Sequence, residues 1–596
     1  MDRSPHHFHI PVMGVSFTNE TPLKIGRFGI DSVMSLGDDN LLEDLRKHWA
    51  SKRGDGFTPI AKNAPQCRAR RVQAWCDLVA DELDAQMLHM RREPMMPGLD
   101  LWRYFALLPE GDLKQAWRAA IELPHGTARQ AAHDTLMARL KPGRADVNIM
   151  TKVDRDTLPD GSIRPRGESD ALAGLLGFAN SRLNSAVVFS AGINPRLYGF
   201  LAEQPAFMPG PQGQAPTKQV IIKVSDFRSA EVQGRFLAKK GVWISEFRIE
   251  SGLNCGGHAF GMDGLLLGPV LENFKTDRAT LAAELFAIVQ ESLRKQGKVL
   301  YTTQPEQRLT AQGGVGNAEE HNFLRKYYGV DSVGWGSPFL LVPEAVTLDE
   351  EHLKLLEEAT EDDIQLSGAS PLGIPFWNLV NSSSERHRRA RIAEGKPGSP
   401  CPQGYLAFDN STGRPLCHAA SAHQRLILKL VNAEVDEAKR EDLRKRTLDK
   451  ACICLDLSGS ARRVLGIDTN ADVAICPGPN LAYFQRRATL DEMVAHIYGR
   501  QNLPLDPLRP SMYAKEFDLA LGEQMKKRQR ALAEFEPLNQ ASDDLTMKRL
   551  HEAISYYDEL QTKGAPIGAG GIMAELKKLW ARRGHSERET ALATVS

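Results

Sequence analysis

Eight short runs rich in β-branched and aromatic residues punctuate residues 9–336, and most of them lead into a stretch with helical periodicity. No other feature narrows the fold as much. The runs are "HIPVMGVSF" (9–17), "DSVMSL" (31–36), "DVNIMTKV" (146–153), "SAVVFSAG" (185–192), "QVIIKVSD" (219–226), "VWISEFRIES" (242–251), "RLTAQGG" (308–314) and "DSVGWG" (331–336). Between them stand the helix candidates "SDALAGLLGFANSRL", "SAEVQGRFLAKKG", "ATLAAELFAIVQESLRKQG" and "AEEHNFLRKYYG". Strand and helix in alternation build parallel βαβ units. Eight such strands predict an α/β fold, a closed (β/α)8 TIM barrel. An open doubly wound sheet is the competing arrangement.

The rhythm breaks once, between the second and third runs. Residues 40–145 carry "RARRVQAWCDLVADELDAQMLHM" and "DLKQAWRAAIELPHGTARQAAHDTLMARL". They read as a helical insertion, either a lid over the strand ends or a bundle with no gating role. The barrel is therefore expected in two pieces, 1–39 and 146–345. Beyond it, residues 346–500 open with the acidic helix "PEAVTLDEEHLKLLEEATEDDI" and become a mixed, glycine- and proline-rich region that holds most of the cysteines. Residues 501–596 read as mostly helical. A chain of 596 residues is too long for one compact core, and this division gives it several.

Lys+Arg and Asp+Glu both number 75, and a formal net charge of zero argues against a dedicated nucleic-acid binder. Apolar runs such as "GLLLGPVL" are far too short to span a bilayer. The start "MDRSPHHFHIPVMG" lacks the pattern of a secretory signal. The expectation is a cytoplasmic protein with reduced cysteines and neither nucleic acid nor membrane as partner.

In barrels of this type the loops after strands seven and eight commonly hold a phosphate at a helix N-terminus. After the seventh run stands "AQGGVGNAEEHNFL", where Gly313, Gly314 and Gly316 open the backbone to close approach just before a helix. After the eighth stands "GWGSPF", where Gly336 and Ser337 offer a further N–H and a hydroxyl. Together they predict a phosphate site, with purely structural turns as the alternative.

The run "RLTAQGGVGNAEEHNFLRKYYGVDSVGWGSPFLLVPEA" resembles the flavin-mononucleotide (FMN) phosphate region of the nitronate monooxygenase family and its relatives, the FMN-dependent enoyl reductases. "IPVMGVSFTNETPLKIGRFGIDSVMSL" is similar to that family's first unit, "DVNIMTKV" to its Val-Asn strand, and "LAKKGVWISEFRIESGLNCGGHAF" to its strand ending in Gly-Gly-His. The likeness spans about 1–45 and 145–345 in one order. It departs at Val242-Trp243, where the family carries alanine and aspartate, and at Cys255 before the glycines. The resemblance implies FMN, with Gly14 in the turn that meets the flavin ring. It leaves the nitronate substrate open.

Within that frame His258 emerges at the C-terminal face of the barrel. An imidazole there can act as an acid/base, touch flavin or substrate, or cap its loop. Lys223 is a charge in an apolar strand: it needs a partner such as a flavin edge or phosphate, or it points to the wet rim beside Asp226. Asn148, at a strand end, is a candidate hydrogen-bond partner for the ring.

Cys401, Cys417, Cys452, Cys454 and Cys476 fall in loop-like, glycine- or proline-flanked surroundings. Thiolates bind soft metals, and four complete an iron–sulfur cluster. The spacing matches no ferredoxin run and lacks the paired Cys-x-x-Cys of zinc ribbons. An iron–sulfur cluster, zinc, and unliganded thiols all stay open. A cluster beside a flavin would resemble the FMN barrel of glutamate synthase, with the cluster as an electron relay.

The sequence reading is thus an FMN-dependent oxidoreductase, monooxygenase or reductase, acting on a small molecule with an electron-transfer partner. Two alternatives stand beside it: a flavin-free barrel lyase or isomerase acting on a phosphorylated substrate, and a metal-binding scaffold without activity.

Overall fold

The computed structural model describes residues 4–593 apart from 152–153, 159–161, 191, 257–262, 401–403, 405, 408, 410–414 and 586. His258 and Cys401 lie outside the described residues.

Eight parallel strands close into a barrel in chain order. They are β1 (Phe8–Ile10), β2 (Asp31–Ser35), β3 (Ala145–Ile149), β4 (Ala186–Phe189), β5 (Gln219–Val224), β6 (Glu246–Glu250), β7 (Arg308–Gln312) and β8 (Ser332–Gly334). β8 returns to β1 with Phe8 opposite Val333, which closes the ring. Every run expected to be a strand contributes one, so the TIM barrel holds and the open sheet does not.

Alternation along each strand splits the side chains between the surrounding helices and the barrel interior. The interior is divided. On one side Val12, Val33, Ala186, Val188 and Ile221 form a small apolar cluster of their own. The other side is ionic. Glu246 takes a charge-assisted bond from Arg248 at 2.7 Å and a hydroxyl bond from Thr310 at 2.7 Å, with Arg308 3.7 Å away. Arg144 pairs with Asp146 at 2.9 Å, and its backbone N–H bonds Asp31. Burial opposes the Glu246 charge, but Arg248, Arg308 and Arg144 outweigh it and hold the carboxyl far below its ordinary range.

The helical insertion reaches the C-terminal rim at Arg68, which donates to Leu36 O and Gly37 O just after β2. Its helix Cys67–Arg91 joins the barrel wall against the helix Asp170–Asn180. The two approach so closely that a Cβ at Gly177 would stand 2.3 Å from the Ala69 carbonyl, so only glycine fits. The helices Asp100–Leu107, Asp112–Glu122 and Thr127–Ala138 sit at the opposite, N-terminal end of the barrel. Tyr104 donates there to Lys141 O, just before β3, and a cavity of about 910 Å³ is lined by His7, Leu108, Lys114, Arg139, Arg308 and Asp331 among others.

The cover comes from the C-terminal extension, which also carries the antiparallel pair β9 (Ile364–Ser367) and β10 (Phe376–Leu379). Ser16, after β1, donates to Leu457 O at 2.8 Å, and Ser458 and Arg462 bond Asp38 after β2. Trp377 donates to Gly252 O after β6, and Asn480 to Val315 O after β7. Trp377, residues 457–462 and Asn480 thus meet the C-terminal face from β6 round to β2. Helices Met512–Leu532, Gln540–Thr562 and Gly571–Arg583 complete the chain's last part. No helix among the described residues is long and apolar enough to cross a membrane.

Candidate active site

Under that cover the upper interior of the barrel is polar. Lys223 on β5 follows inward-facing Ile221 by two residues and so also points inward. Its ammonium donates to Glu250 on the next strand at 3.0 Å. The same carboxylate oxygen accepts from Asn254 at 2.6 Å and from Gln312 on β7 at 2.7 Å. The reading of Lys223 on the wet rim beside Asp226 fails. Asp226 instead caps the helix Phe227–Ala238 by accepting the Ser229 N–H.

Asn148 lies in register between Ser35 and Val188, 5% exposed. Its Oδ1 has no protein partner, whereas Gln312 hydrogen-bonds the buried His9 imidazole. Buried polar atoms are nearly always paired, so an orphaned acceptor in the same interior as a fixed ammonium marks a place built to receive a donor. Beside this mouth, the turns after β3 and β4 expose Met150 and Ile193.

The two glycine turns do share the rim. Gly14, in the left-handed region at φ +58°, follows Met13, whose Cα is within 2.9 Å of where a Gly256 Cβ would be. Cys255 packs on Gly336, and Gly478 packs on both Ser337 and Cys255. The space expected for phosphate, however, is filled. Glu320, three residues beyond the capping Asn317 of the helix Ala318–Tyr327, turns its carboxylate back to the helix start. It accepts the Gly316 N–H at 2.8 Å, the Met512 N–H at 2.9 Å, and both guanidinium arms of Arg509 at 2.7 and 3.0 Å. A Cβ at Gly316 would stand 2.6 Å from that guanidinium.

The helix N-terminus thus has its anion already, supplied by the chain. Of the residues expected to hold phosphate, Gly316 has its N–H taken by Glu320, Gly313, Gly314 and Ser337 are buried against protein, and Gly336 faces Cys255 and Pro11. The residues at the ring end fit a flavin. Those at the phosphate end do not fit FMN.

Cys255 donates to Cys476 O at 3.1 Å, and burial pushes its thiol well above the ordinary range, so it is no nucleophile. Cys476 therefore belongs to the barrel rim. Cys417 packs with Leu406 and Ala419, and Cys452 and Cys454 border that cluster. The proposed ligand set is divided: Cys417, Cys452 and Cys454 come together, and Cys476 joins Cys255. Among the described residues no three ligand atoms within 4.8 Å of one another include a cysteine.

Two constellations went unread in the sequence. Asp349, His352 and Ser383 line up as an acid, imidazole and hydroxyl, with His352 Nδ1 2.8 Å from Asp349. His352 Nε2 takes the Ser383 backbone N–H at 3.2 Å, and the imidazole is fully buried, so the trio ties the extension together and does not activate a nucleophile. The other is Asp409, His418 and His423.

No family profile and no curated protein matches the chain. Solved structures do. FabK from Thermotoga maritima is 12% identical, with 63% of this chain and 82% of that chain covered at a TM-score of 0.31. Nitroalkane oxidase from Streptomyces ansochromogenes is 11% identical, covering 83% and 94% at 0.34. The enoyl reductase domain of MlnA from Bacillus amyloliquefaciens is 13% identical, covering 69% and 89% at 0.29. The barrel assignment stands on the strand pairing itself.

Proposed function

We propose that the protein is a flavin-dependent oxidoreductase whose flavin ring lies in the polar mouth of the barrel. The observation that carries this is a buried, fixed ammonium, Lys223, in a barrel interior where the buried Oδ1 of Asn148 has no protein partner. A flavin ring edge presents both acceptors and an N–H, the complement of that set. Glu250 holds Lys223 in place and is itself held by Asn254 and Gln312; Asn148 is left to take the ring's donor. Flavin supplies electron transfer there, and the residues that cover the mouth keep water from the site.

The resemblance points to FMN, yet the Glu320–Arg509 pair occupies the phosphate's usual place. The flavin is therefore bound chiefly through its ring. Titrating FMN and riboflavin into flavin-free protein, read by quenching of flavin fluorescence, tests this. Affinities within about tenfold of each other, a difference of ~1.4 kcal/mol, are expected. FMN binding tighter by orders of magnitude, or neither binding, would contradict it. Asn148→Ala should weaken both equally, by about 1 kcal/mol.

An electron relay is the reading for the cysteine region. Cys454 lies three residues before Leu457, which touches the β1 turn, so no more than ~11 Å of chain separates them. Iron and acid-labile sulfide analysis of anaerobically purified protein tests the cluster; absence of both would remove it and leave the flavin reading standing.

A further inference from the structure

The structure assigns a metal site, unrelated to the thiols, in which Asp409, His418 and His423 bind one divalent first-row transition ion with coordination positions left open. The carboxylate and both imidazoles aim at one point. His423 Nε2 stands 2.9 Å from Asp409 Oδ2 and His418 Nε2 3.5 Å from the same oxygen. One ligand atom from each residue lies within 4.8 Å of the other two. Ligand bonds of about 2.0–2.2 Å at right-angled to tetrahedral geometry place neighbouring ligand atoms roughly 3–3.5 Å apart, which is the spacing present.

The local structure holds this arrangement from independent directions. Asp409 pairs with Leu416 across an antiparallel bridge, which fixes the carboxylate two residues before His418 in space. His423 projects from the helix Ser421–Val431 and is 4% exposed. The two rings stack at 4.7 Å between centroids. Both Nδ1 atoms are buried without a partner, so neither imidazole is spent on a protein hydrogen bond at that end.

Two imidazoles and one carboxylate, with no thiolate in the set, select a borderline ion such as iron(II), zinc(II) or cobalt(II) over calcium or magnesium. Three protein ligands leave room for water or substrate, as catalytic sites do and closed structural sites do not. Cys417 directly precedes His418 in the chain, so the ion would sit beside the thiol group without being held by it.

Cobalt(II) is the probe. Full-length protein is dialysed to equilibrium against it, bound metal is counted by mass spectrometry, and the difference spectrum is recorded against undialysed protein. Stoichiometric binding with visible ligand-field bands and no near-ultraviolet thiolate charge transfer is expected. Asp409→Asn, which keeps shape and a hydrogen bond to His423, and His423→Ala should each weaken binding by roughly 100-fold. Circular dichroism confirms that the variants fold, and Asp409→Asn carries the test should His423→Ala not. Binding that survives Asp409→Asn unchanged, a spectrum dominated by thiolate charge transfer, or no binding at all would overturn the assignment. None of these outcomes depends on flavin.

Discussion

Replacing Arg509 by alanine would strand Glu320, a carboxylate 1% exposed, among backbone N–H groups with its cation gone. Losing one partner of a buried pair costs about 3 kcal/mol, because the remaining charge stays desolvated. Urea denaturation of Arg509→Ala should show that loss; a change within ~0.5 kcal/mol would mean the pair is not what holds the turn. Combining Arg509→Ala with Glu320→Gln removes the built-in anion and its cation together. This double variant should regain a preference for FMN over riboflavin, since the helix N-terminus then lacks its own anion. Equal affinities in the double variant would show that the turn never offered a phosphate site. Part of this was legible: Asn317 followed three residues later by Glu320 is the pattern of a helix start that caps itself. Arg509 was not legible, because 189 residues separate it from Glu320 and nothing local marks it. Lys223 and Asn148 stood out as polar residues in apolar strands, but the carboxylate facing Lys223 becomes visible only once β5 and β6 are paired.

Elements with strong periodicity were read correctly, and those placed by long-range packing were not. The eight barrel strands announce themselves by β-branched runs and by their spacing. The helical insertion announces its helices, but not which end of the barrel they attach to, since an amphipathic face looks the same against either. The helix Met512–Leu532 shows how such packing creates chemistry. Its Glu516 is buried and accepts the Leu267 N–H at 2.8 Å, at the start of the helix Leu267–Lys295. Burial pushes its pKa up to about 7, against opposing hydrogen bonds from Ser251 and the backbone of Leu267 and Gly252. The folded value lies above the ordinary 4.5, so the folded state binds the proton more tightly. That stabilisation is complete below about pH 4.5 and is lost as pH rises through 7. Glu516→Gln keeps the acceptor and removes the titration. It should match the parent near pH 4.5 and exceed it by ~2–3 kcal/mol near pH 8, because each pH step between the unfolded and folded values is worth about 1.4 kcal/mol. Denaturation at both pH values checks this, and a variant less stable at the higher pH would contradict it.

At the scale of the whole molecule, one chain builds a barrel and then covers the barrel's own mouth with its C-terminal extension. This explains why the mouth layer is buried although it lies at the open end of the strands. The barrel could be read from alternation alone. The cover could not, because its contacts join loops hundreds of residues apart through single hydrogen bonds, and such contacts leave no periodic trace.

The central claim is that the covered mouth holds a flavin, and the visible spectrum of anaerobically purified full-length protein, before and after dithionite, tests it most directly. The account predicts flavin absorption that bleaches on reduction, with a flavin released on denaturation. A colourless protein that releases none would contradict it.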